Sequence, residues 1–376
     1  MSRAGHGLAA AQLAAGAIVA ARLARGRARR PPLRAGDALP PDETVSAVVP
    51  ARNEAQRLGP CLQGLLRDPD LAEVIVVDDC SSDGTADVAR RLGARVVTGR
   101  EPPAGWAGKT WALQQGIATA RGDWVLHVDA DARPRPGLAR ALVASALSYG
   151  DDLLTAGPVF RCRTAPDLVV HPAFLATLPY RFGPADALGR RSRPSRAIAN
   201  GQCVLLPRER FMAVGGYERV RANMTEDVAL ARSLARAGWA IGFCAAGRLL
   251  EVEMYGSARE TWRGWGRSIA APDATSRAAQ ARDVATLWLT FALPPLRLAT
   301  GRARAVDRLL LVLRWLLATQ LGRGYRPRSL LPLLSPLADP LVAARFTQAA
   351  LRPERTWRGR TYAAGRAGRT RRRSCT

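Results

Sequence analysis

Trp124-Val-Leu-His-Val-Asp129-Ala-Asp131 is an apolar run that stops on two carboxylates two residues apart. Trp124 to Val128 has the β-branched and aromatic content of a strand. Side chains two apart on extended backbone point the same way, so Asp129 and Asp131 can jointly offer oxygen to a hard divalent cation. An acidic strand end also serves simply to solvate a turn, and the neighbouring segments decide between these readings. From Thr44 onward short β-rich runs alternate with helical stretches: Val45–Val49, Ala55–Leu66, Glu73–Val77, Thr85–Leu92, Arg95–Val97, Thr110–Ala120 and Trp124–Val128. Strands separated by single helices imply parallel pairing in an open, doubly wound sheet. Ligands in such sheets sit beyond the carboxyl ends of the strands. Three of these ends carry Pro50-Ala-Arg-Asn-Glu54, Asp78-Asp79 and Asp129-Ala-Asp131, so polar and acidic groups converge on one edge.

The 376 residues have room for one large α/β domain with appendages, or for two smaller domains. Lys+Arg number 56 against 31 Asp+Glu, a formal charge of +25 that suits nucleic acid, an anionic membrane surface or an anionic substrate. Residues 1–36 carry seven arginines and no acid, and residues 352–376 carry nine arginines against Glu354 alone. Both basic runs border apolar segments, which favours the membrane; with no zinc-finger or RNA-binding signature, nucleic acid is not an expected partner. Lys109 is the only lysine. The six cysteines form no Cys-x-x-Cys pair and are read as reduced thiols on the cytosolic side.

Gly7 to Ala21 is apolar and is followed at once by Arg22, Arg25, Arg27, Arg29 and Arg30. Inserted in a bilayer, it would hold the following domain in the cytoplasm by the positive-inside rule. It is short against the roughly 20 residues of a full span, so an interfacial helix and a span both stand. A cleaved signal peptide fits less well, because the charge follows the apolar stretch. Beyond residue 280, Val284–Leu293 ends on Pro294-Pro295, Leu309–Leu321 is interrupted by Arg314, and Leu330–Phe346 is broken by Pro332, Pro336 and Pro340. Trp288, Trp315, Arg297 and Arg314 suit helices lying near the headgroups or crossing with snorkelled cations; a soluble helical subdomain is the alternative. The expected divisions are an N-terminal membrane-associated helix with its basic flank (1–36), an α/β domain (44–270), C-terminal membrane-associated helices (281–350) and a basic tail (351–376), at the cell membrane with the α/β domain cytoplasmic.

Val48-Val-Pro50-Ala-Arg52-Asn53-Glu54, Val76-Val-Asp78-Asp79-Cys-Ser-Ser-Asp83-Gly84-Thr85 and Asp129-Ala-Asp131 occur in order and together resemble the family 2 glycosyltransferases of GT-A fold. The resemblance covers about residues 44–270. It implies a Rossmann-like α/β domain with a mostly parallel central sheet, a nucleotide-diphosphate sugar as donor, and Mg2+ or Mn2+ as cofactor. In that pattern Pro50, Arg52 and Glu54 line the nucleotide pocket and Asp79, with Asp78 beside it, holds the base. Asp131 ligates the metal, with Asp129 nearer the ribose or behind the metal. Gly105-Trp-Ala-Gly108-Lys109 resembles the segment these enzymes place over the donor. Asp83 and the hydroxyls around it are expected to cap the helix that follows.

Met224-Thr225-Glu226-Asp227 opens a predicted helix, where acids suit the helix dipole and Thr225 suits a cap. By the same resemblance Asp227 is the general base and Glu226 orients it or helps bind acceptor, in a reaction that inverts the anomeric centre. The Gln-x-x-Arg-Trp motif of processive members is absent. The region instead has Glu253-Met-Tyr255 and Trp262-Arg263-Gly-Trp265-Gly-Arg267, which favours transfer of a single sugar. Arg263 or Arg267 would meet the diphosphate and Trp265 would stack on acceptor. The Met-Tyr and Trp-Gly-Arg segments and Trp357-Arg-Gly-Arg360 are similar to glycosyltransferases of carotenoid and hopanoid pathways, which implies a lipid-like acceptor. A polyprenyl-phosphate sugar synthase and an inactive nucleotide-binding protein are the other readings. His127 is expected to be a structural histidine, and no histidine triad or zinc site can be assembled.

Overall fold

Val45 to Val49 is buried at every position, which identifies a strand covered on both faces and therefore central to its sheet. The computed structural model describes residues 3–36, 42–188, 194–354, 356–357 and 360–361. Its backbone clusters into two units that interleave along the chain: residues 31–159, 191–253 and 355–376 in one, residues 1–30, 160–190 and 254–354 in the other.

In chain order the strands up to residue 253 are β1 (Val45–Ala51), β2 (Leu71–Asp78), β3 (Arg95–Thr98), β4 (Trp124–Val128), β5 (Ala132–Pro134), β6 (Leu153–Gly157), β7 (Val159–Arg161), β8 (Cys203–Pro207), β9 (Ile241–Ala245) and β10 (Leu250–Glu253). A seven-stranded sheet has the order β3-β2-β1-β4-β8-β6-β9. β1 pairs in parallel with β2 and β4, β2 with β3, and β6 with β9, as the alternating pattern implies. β8 departs from that pattern and runs antiparallel to both β4 and β6. Its register, with Val128 opposite Cys203, starts β8 where β4 ends. The Asp129 amide then donates to the Gln202 carbonyl at 3.1 Å, so the antiparallel strand delivers Asn200-Gly201-Gln202 to the acidic strand end.

The helix Gly108–Thr119 packs its buried Ala112, Leu113 and Ile117 over this sheet. Gly116 makes the close approach possible. A Cβ there would lie 2.5 Å from Val48 Cγ1 and 2.7 Å from Val77 Cγ2, on two stiff side chains of central strands.

The second unit is helical. Its core gathers Val19 from the helix Arg3–Ala24, Phe174 and Tyr180 from Asp167–Phe182, Phe291, and Val342 and Phe346 from Asp339–Leu351. Residues 160–190 and 254–270, which the sequence groups with the α/β segment 44–270, cluster here because their apolar faces share this core. The N-terminal helix runs 22 residues, beyond the apolar run read from sequence, and at 1.5 Å per residue is about 33 Å long. Among the described residues His6–Arg27 is the one segment long and apolar enough to cross a membrane, with mean hydropathy 1.5. Pro294-Pro295 does not end its helix: a π-turn at Trp288–Ala292 leads from Arg277–Leu287 into Leu293–Ala299. Arg314 is buried on the inner face of Ala305–Gly322 and grips Asp339 through two hydrogen bonds of 2.7 and 2.8 Å, so it does not snorkel. The C-terminal basic tail lies largely outside the described residues.

Gly116→Ala is expected to destabilise the sheet unit by about 1–2 kcal/mol, overpacking outweighing the gain in helix propensity. Denaturant titration reads this directly; an unchanged or raised midpoint would mean the helix stands further from the sheet.

Candidate active site

β1 and β2 end side by side because their register sets Ala51 opposite Asp78. The loops that follow are knitted together. The Asp79 amide donates to the Ala51 carbonyl at 2.8 Å, and the Arg52 guanidinium donates to the Asp79 carbonyl at 2.6 Å with the Asp79 carboxylate 4.0 Å away. Asn53 takes a left-handed conformation, φ 53°, which Asn tolerates, and its side-chain oxygen accepts from the Ser82 amide at 2.8 Å. The Glu54 amide donates to the Thr85 hydroxyl at 2.9 Å. Asp83 accepts from the Thr85 amide at 3.0 Å, while Gly84 occupies the helix N-cap position. Pro50 stands opposite Val77 in the ladder. Asp78 is buried, and its Oδ1 meets no donor among the described residues.

The acidic centre lies at the end of β4. The chain does not continue straight through Asp129-Ala-Asp131: the Ala132 amide donates back to the Asp129 carbonyl at 3.0 Å, closing a turn before β5. It is this turn, where the sequence implied an extended run, that sets the two carboxylates near one another. Lys109, on the first turn of Gly108–Thr119, puts its ammonium 2.7 Å from Asp129 Oδ1 and 2.7 Å from Glu226 Oε1. The same ammonium donates to the Gly201 carbonyl at 3.5 Å. Glu226 and Asp227 begin the helix Glu226–Arg236. Thr225 holds the N-cap position without a side-chain cap bond. Both Asp227 oxygens accept backbone N–H groups, Oδ2 from Gly201 at 2.9 Å and Oδ1 from Val228 at 2.7 Å. A Cβ on residue 201 would lie 3.1 Å from Glu226 Oε1 and 3.2 Å from Asp227 Cβ, so glycine suits that position.

These contacts split the acids electrostatically. Burial works against ionisation of Asp129, but Lys109 and then His127 outweigh it and hold the carboxyl at about 2. Burial and repulsion from Asp129 and Glu54 push Asp131 up to about 6. Burial and repulsion from Glu226 push Asp227 up to about 7. Burial also opposes the charge on Lys109, yet Asp129 and Glu226 hold it well above the usual lysine range.

Asp129, Asp131, Lys109, Glu226 and Asp227 are thus brought together, and Arg52, Glu54, Asp78 and Asp79 line the adjoining strand ends. Trp265 and Arg263 belong to the helix Ala258–Ser268 of the helical unit. Trp265 packs there at 5.1 Å edge-on to His171 and stacks on Phe174, and Arg263 is exposed. The side chain of Arg267 lies outside the described residues. Read from sequence, Gly201 belongs to a strand-like element and Tyr217 to a turn, neither with a role in the site, and His127 is structural. Strand alternation holds a signal for His127, which stands two residues before Asp129.

Removing the ammonium by Lys109→Met leaves Asp129 and Glu226 facing each other without a cation. The variant is expected to lose on the order of 2 kcal/mol at pH 7, discounted for partial solvent access. Asp129 is depressed in the folded protein below its ordinary 3.8, so its stabilising contribution is present above pH 4 and is lost as pH falls through about 2. The deficit of the variant should therefore shrink as pH falls from about 4 to about 2 in denaturant titrations; a constant deficit would remove charge as its cause.

Residues 46–209 match the family model described as glycosyl transferase family 2. Among curated relatives, a 4,4'-diaponeurosporenoate glycosyltransferase of Staphylococcus haemolyticus (strain JCSC1435) is 38% identical over 91 residues, 24% of each chain. The protein of the same name from Staphylococcus aureus (strain USA300) is 39% identical over 90 residues, again 24% of each. The match spans about a quarter of the length of these relatives. Among solved structures, the mannosyltransferase PcManGT from Pyrobaculum calidifontis, in complex with GDP-Man and Mn2+, aligns over 92% of this chain and 97% of its own, with TM-score 0.53 and 18% identity, a likeness of fold. With the sheet order and the acidic strand ends described above, these matches identify residues 46–209 as a family 2 glycosyltransferase domain of GT-A fold.

Proposed function

We propose that this protein is a metal-dependent, inverting glycosyltransferase that moves one hexose from a nucleotide-diphosphate sugar to a lipid-like acceptor, such as a carotenoid acid or alcohol, at the cytoplasmic face of the cell membrane. The observation that carries the reading is the convergence of Asp129, Asp131, Lys109, Glu226 and Asp227, with a single ammonium between two of the acids. The names of the curated relatives support the choice of acceptor. The surface of the helical unit supports the membrane: Leu8, Leu13 and Ile18 on the N-terminal helix are exposed, as are Leu309, Val312, Leu316, Leu334, Leu337 and Leu341 further on. Between residues 293 and 353 the acids Asp307 and Asp339 are both buried, whereas Arg302, Arg308, Arg323, Arg328 and Arg352 are exposed, a surface that suits anionic lipid.

The residues present fit a divalent cation. Asp131 is held up to about 6 by burial and by two neighbouring carboxylates, a stress that a cation would relieve. Among the described residues no group of three or more His, Cys, Asp or Glu is arranged to hold a metal unaided. Cations of the Mg2+ type commonly take one or two carboxylates and complete their shell with substrate phosphate. Asp131 would hold the ion, with Asp129 beside it. When bound, the ion neutralises the charge that develops on the departing diphosphate.

The chain's own groups do the rest. Asp78 and Asp79 accept hydrogen bonds from the base, the unsatisfied Asp78 Oδ1 facing that role. Pro50, Arg52 and Glu54 wall the nucleotide. Asp227, fixed by two backbone donors, takes the proton from the acceptor hydroxyl or carboxyl as its oxygen bonds the anomeric carbon from the face opposite the diphosphate. The bond from that carbon to the diphosphate oxygen breaks with its electron pair on the leaving group, and the configuration inverts. Glu226, tied to Lys109, orients the acceptor.

Asp131→Ala and Asp227→Asn are each expected to lower kcat by about 10²- to 10⁴-fold in transfer of radiolabelled sugar from a nucleotide-sugar panel to extracted membrane lipids. EDTA should abolish the wild-type reaction. Wild-type transfer by both variants would refute the mechanism, and product formed on polyprenyl phosphate alone would move the acceptor to that class.

A base must be ionised to act. With Asp227 at about 7, kcat/KM should rise with pH through that value, and a flat profile from pH 5.5 to 8.5 would remove Asp227 from the base role.

A further inference from the structure

His127 is fully enclosed, yet its ring is bonded on both sides. Nε2 lies 3.2 Å from Asp129 Oδ1, and Nδ1 lies 3.4 Å from the Tyr217 hydroxyl. The ionised Asp129 carboxylate can only accept, so Nε2 carries the proton. Burial disfavours the charged ring, so Nδ1 is left as the acceptor and the Tyr217 hydroxyl donates to it. The charged groups that face the ring are Asp129, Lys109 and Glu226.

Tyr217 is itself held in place. Its amide donates to Gln114 Oε1 at 2.8 Å, and its ring meets Phe211 edge-on at 5.4 Å. Gly216 before it has φ +57°, and a Cβ there would lie 2.5 Å from Gln114 Oε1, so both conformation and space call for glycine. Gln114 and Lys109 sit on the same helix, Gly108–Thr119. Hydrogen bonds and the backbone therefore close a ring that leaves this helix at Lys109 and returns to it at Gln114, passing through Asp129, His127 and Tyr217. Lys109 and His127 both bond Asp129 Oδ1. Both contacts fall on Oδ1, and among the described residues no side-chain or backbone donor is bonded to Oδ2.

We propose that His127, as a neutral imidazole with its proton on Nε2, is a positioning residue that fixes the Asp129 carboxylate for donor binding, and that Tyr217 holds its tautomer. Any buried imidazole needs a partner at each nitrogen; what sets His127 apart is that one partner is the same Asp129 oxygen that Lys109 holds. The inference deepens the glycosyltransferase reading and rests on it for the choice of nucleotide ligand. The ring geometry does not depend on that reading.

The test uses the full chain and two measurements. The first is 15N NMR of the imidazoles in the ligand-free protein. The chain has three histidines, and His127→Gln identifies the signals of this one by their loss. A neutral Nε2–H tautomer at pH 7 is expected, and Tyr217→Phe should shift the Nδ1 resonance. An imidazolium or an Nδ1–H tautomer would overturn the proposal.

The second is calorimetric binding of UDP and GDP with Mn2+. His127→Leu, which keeps volume and loses the donor, should weaken the nucleotide that binds by about tenfold or more, the worth of one hydrogen bond to a charged group. His127→Gln, whose amide nitrogen can reach Oδ1, should recover most of that loss. A merely structural role would lower the melting temperature of both variants and leave the affinity of the folded protein unchanged, and that result would also overturn the proposal. If His127→Leu does not fold, Tyr217→Phe replaces it, with a smaller loss expected. If the wild type binds neither nucleotide, the glycosyltransferase reading fails, while the NMR measurement still decides the role of His127.

Discussion

The site depends on one ammonium shared between two carboxylates. Glu54, Asp129, Asp131, Glu226 and Asp227 are drawn together where strands and a helix end, and like charges at such spacing cannot all stay ionised away from water. Lys109 decides which of them do. Asp129, in direct contact with it, is held at about 2, whereas Asp131 and Asp227, which the ammonium does not touch, rise to about 6 and 7. Carboxyls of one chemical type are thereby pushed apart toward different tasks. On the proposed mechanism the two raised acids are the ones that receive a positive partner during the reaction, a metal ion at one and a proton at the other.

Much of this arrangement was legible in the chain because it is set by strand ends. Alternating β and helical patterns fix which residues stand at the carboxyl edge, and Arg52, Glu54, Asp78, Asp79 and Asp129 all fall there. What was not legible depends on contacts distant in sequence. The antiparallel course of β8 leaves no mark in the apolar pattern of Cys203–Pro207, since a strand buried between two others looks the same in either direction. The bond from Lys109 to Glu226 joins residues more than a hundred apart, and the Gly201 carbonyl that the same ammonium meets lies just before β8. The turn at Asp129–Ala132 was masked by the same alternation that disclosed the strand. Tyr217 gave no signal beyond its two glycines, because its role is set by the histidine it meets.

The helical unit misleads a hydropathy reading for a different reason. Arg314 interrupts an apolar run, which suggests a cation reaching for solvent, but the interruption is the core side of the helix. Arg314 and Asp339 pair inside the unit while Leu309, Val312 and Leu316 face outward. Arg297, Gln12 and Asp307 form a second such junction, with Gln12 donating to Asp307 at 2.6 Å and Arg297 donating to Gln12 at 2.9 Å. It ties the N-terminal helix into the unit, and the buried stripe Gln12, Ala15 and Val19 on that helix has the spacing of one packed face. Polar groups inside and leucine outside is an arrangement that supports the proposed apolar surroundings on that face.

The two kinds of cation in this chain answer two geometric demands. Arg314 meets one carboxylate with two parallel hydrogen bonds, the planar fork that suits a fixed, buried tie. Lys109 meets three oxygens from three separate parts of the chain, Asp129, Glu226 and the Gly201 carbonyl, which converge on one point. A planar guanidinium cannot direct its donors at three groups arrayed around a point, whereas a tetrahedral ammonium has three donors on one atom. A chain that uses arginine for every other cation therefore has a physical reason to keep lysine here. That reason is already present in the protein without ligand, before any phosphate is considered.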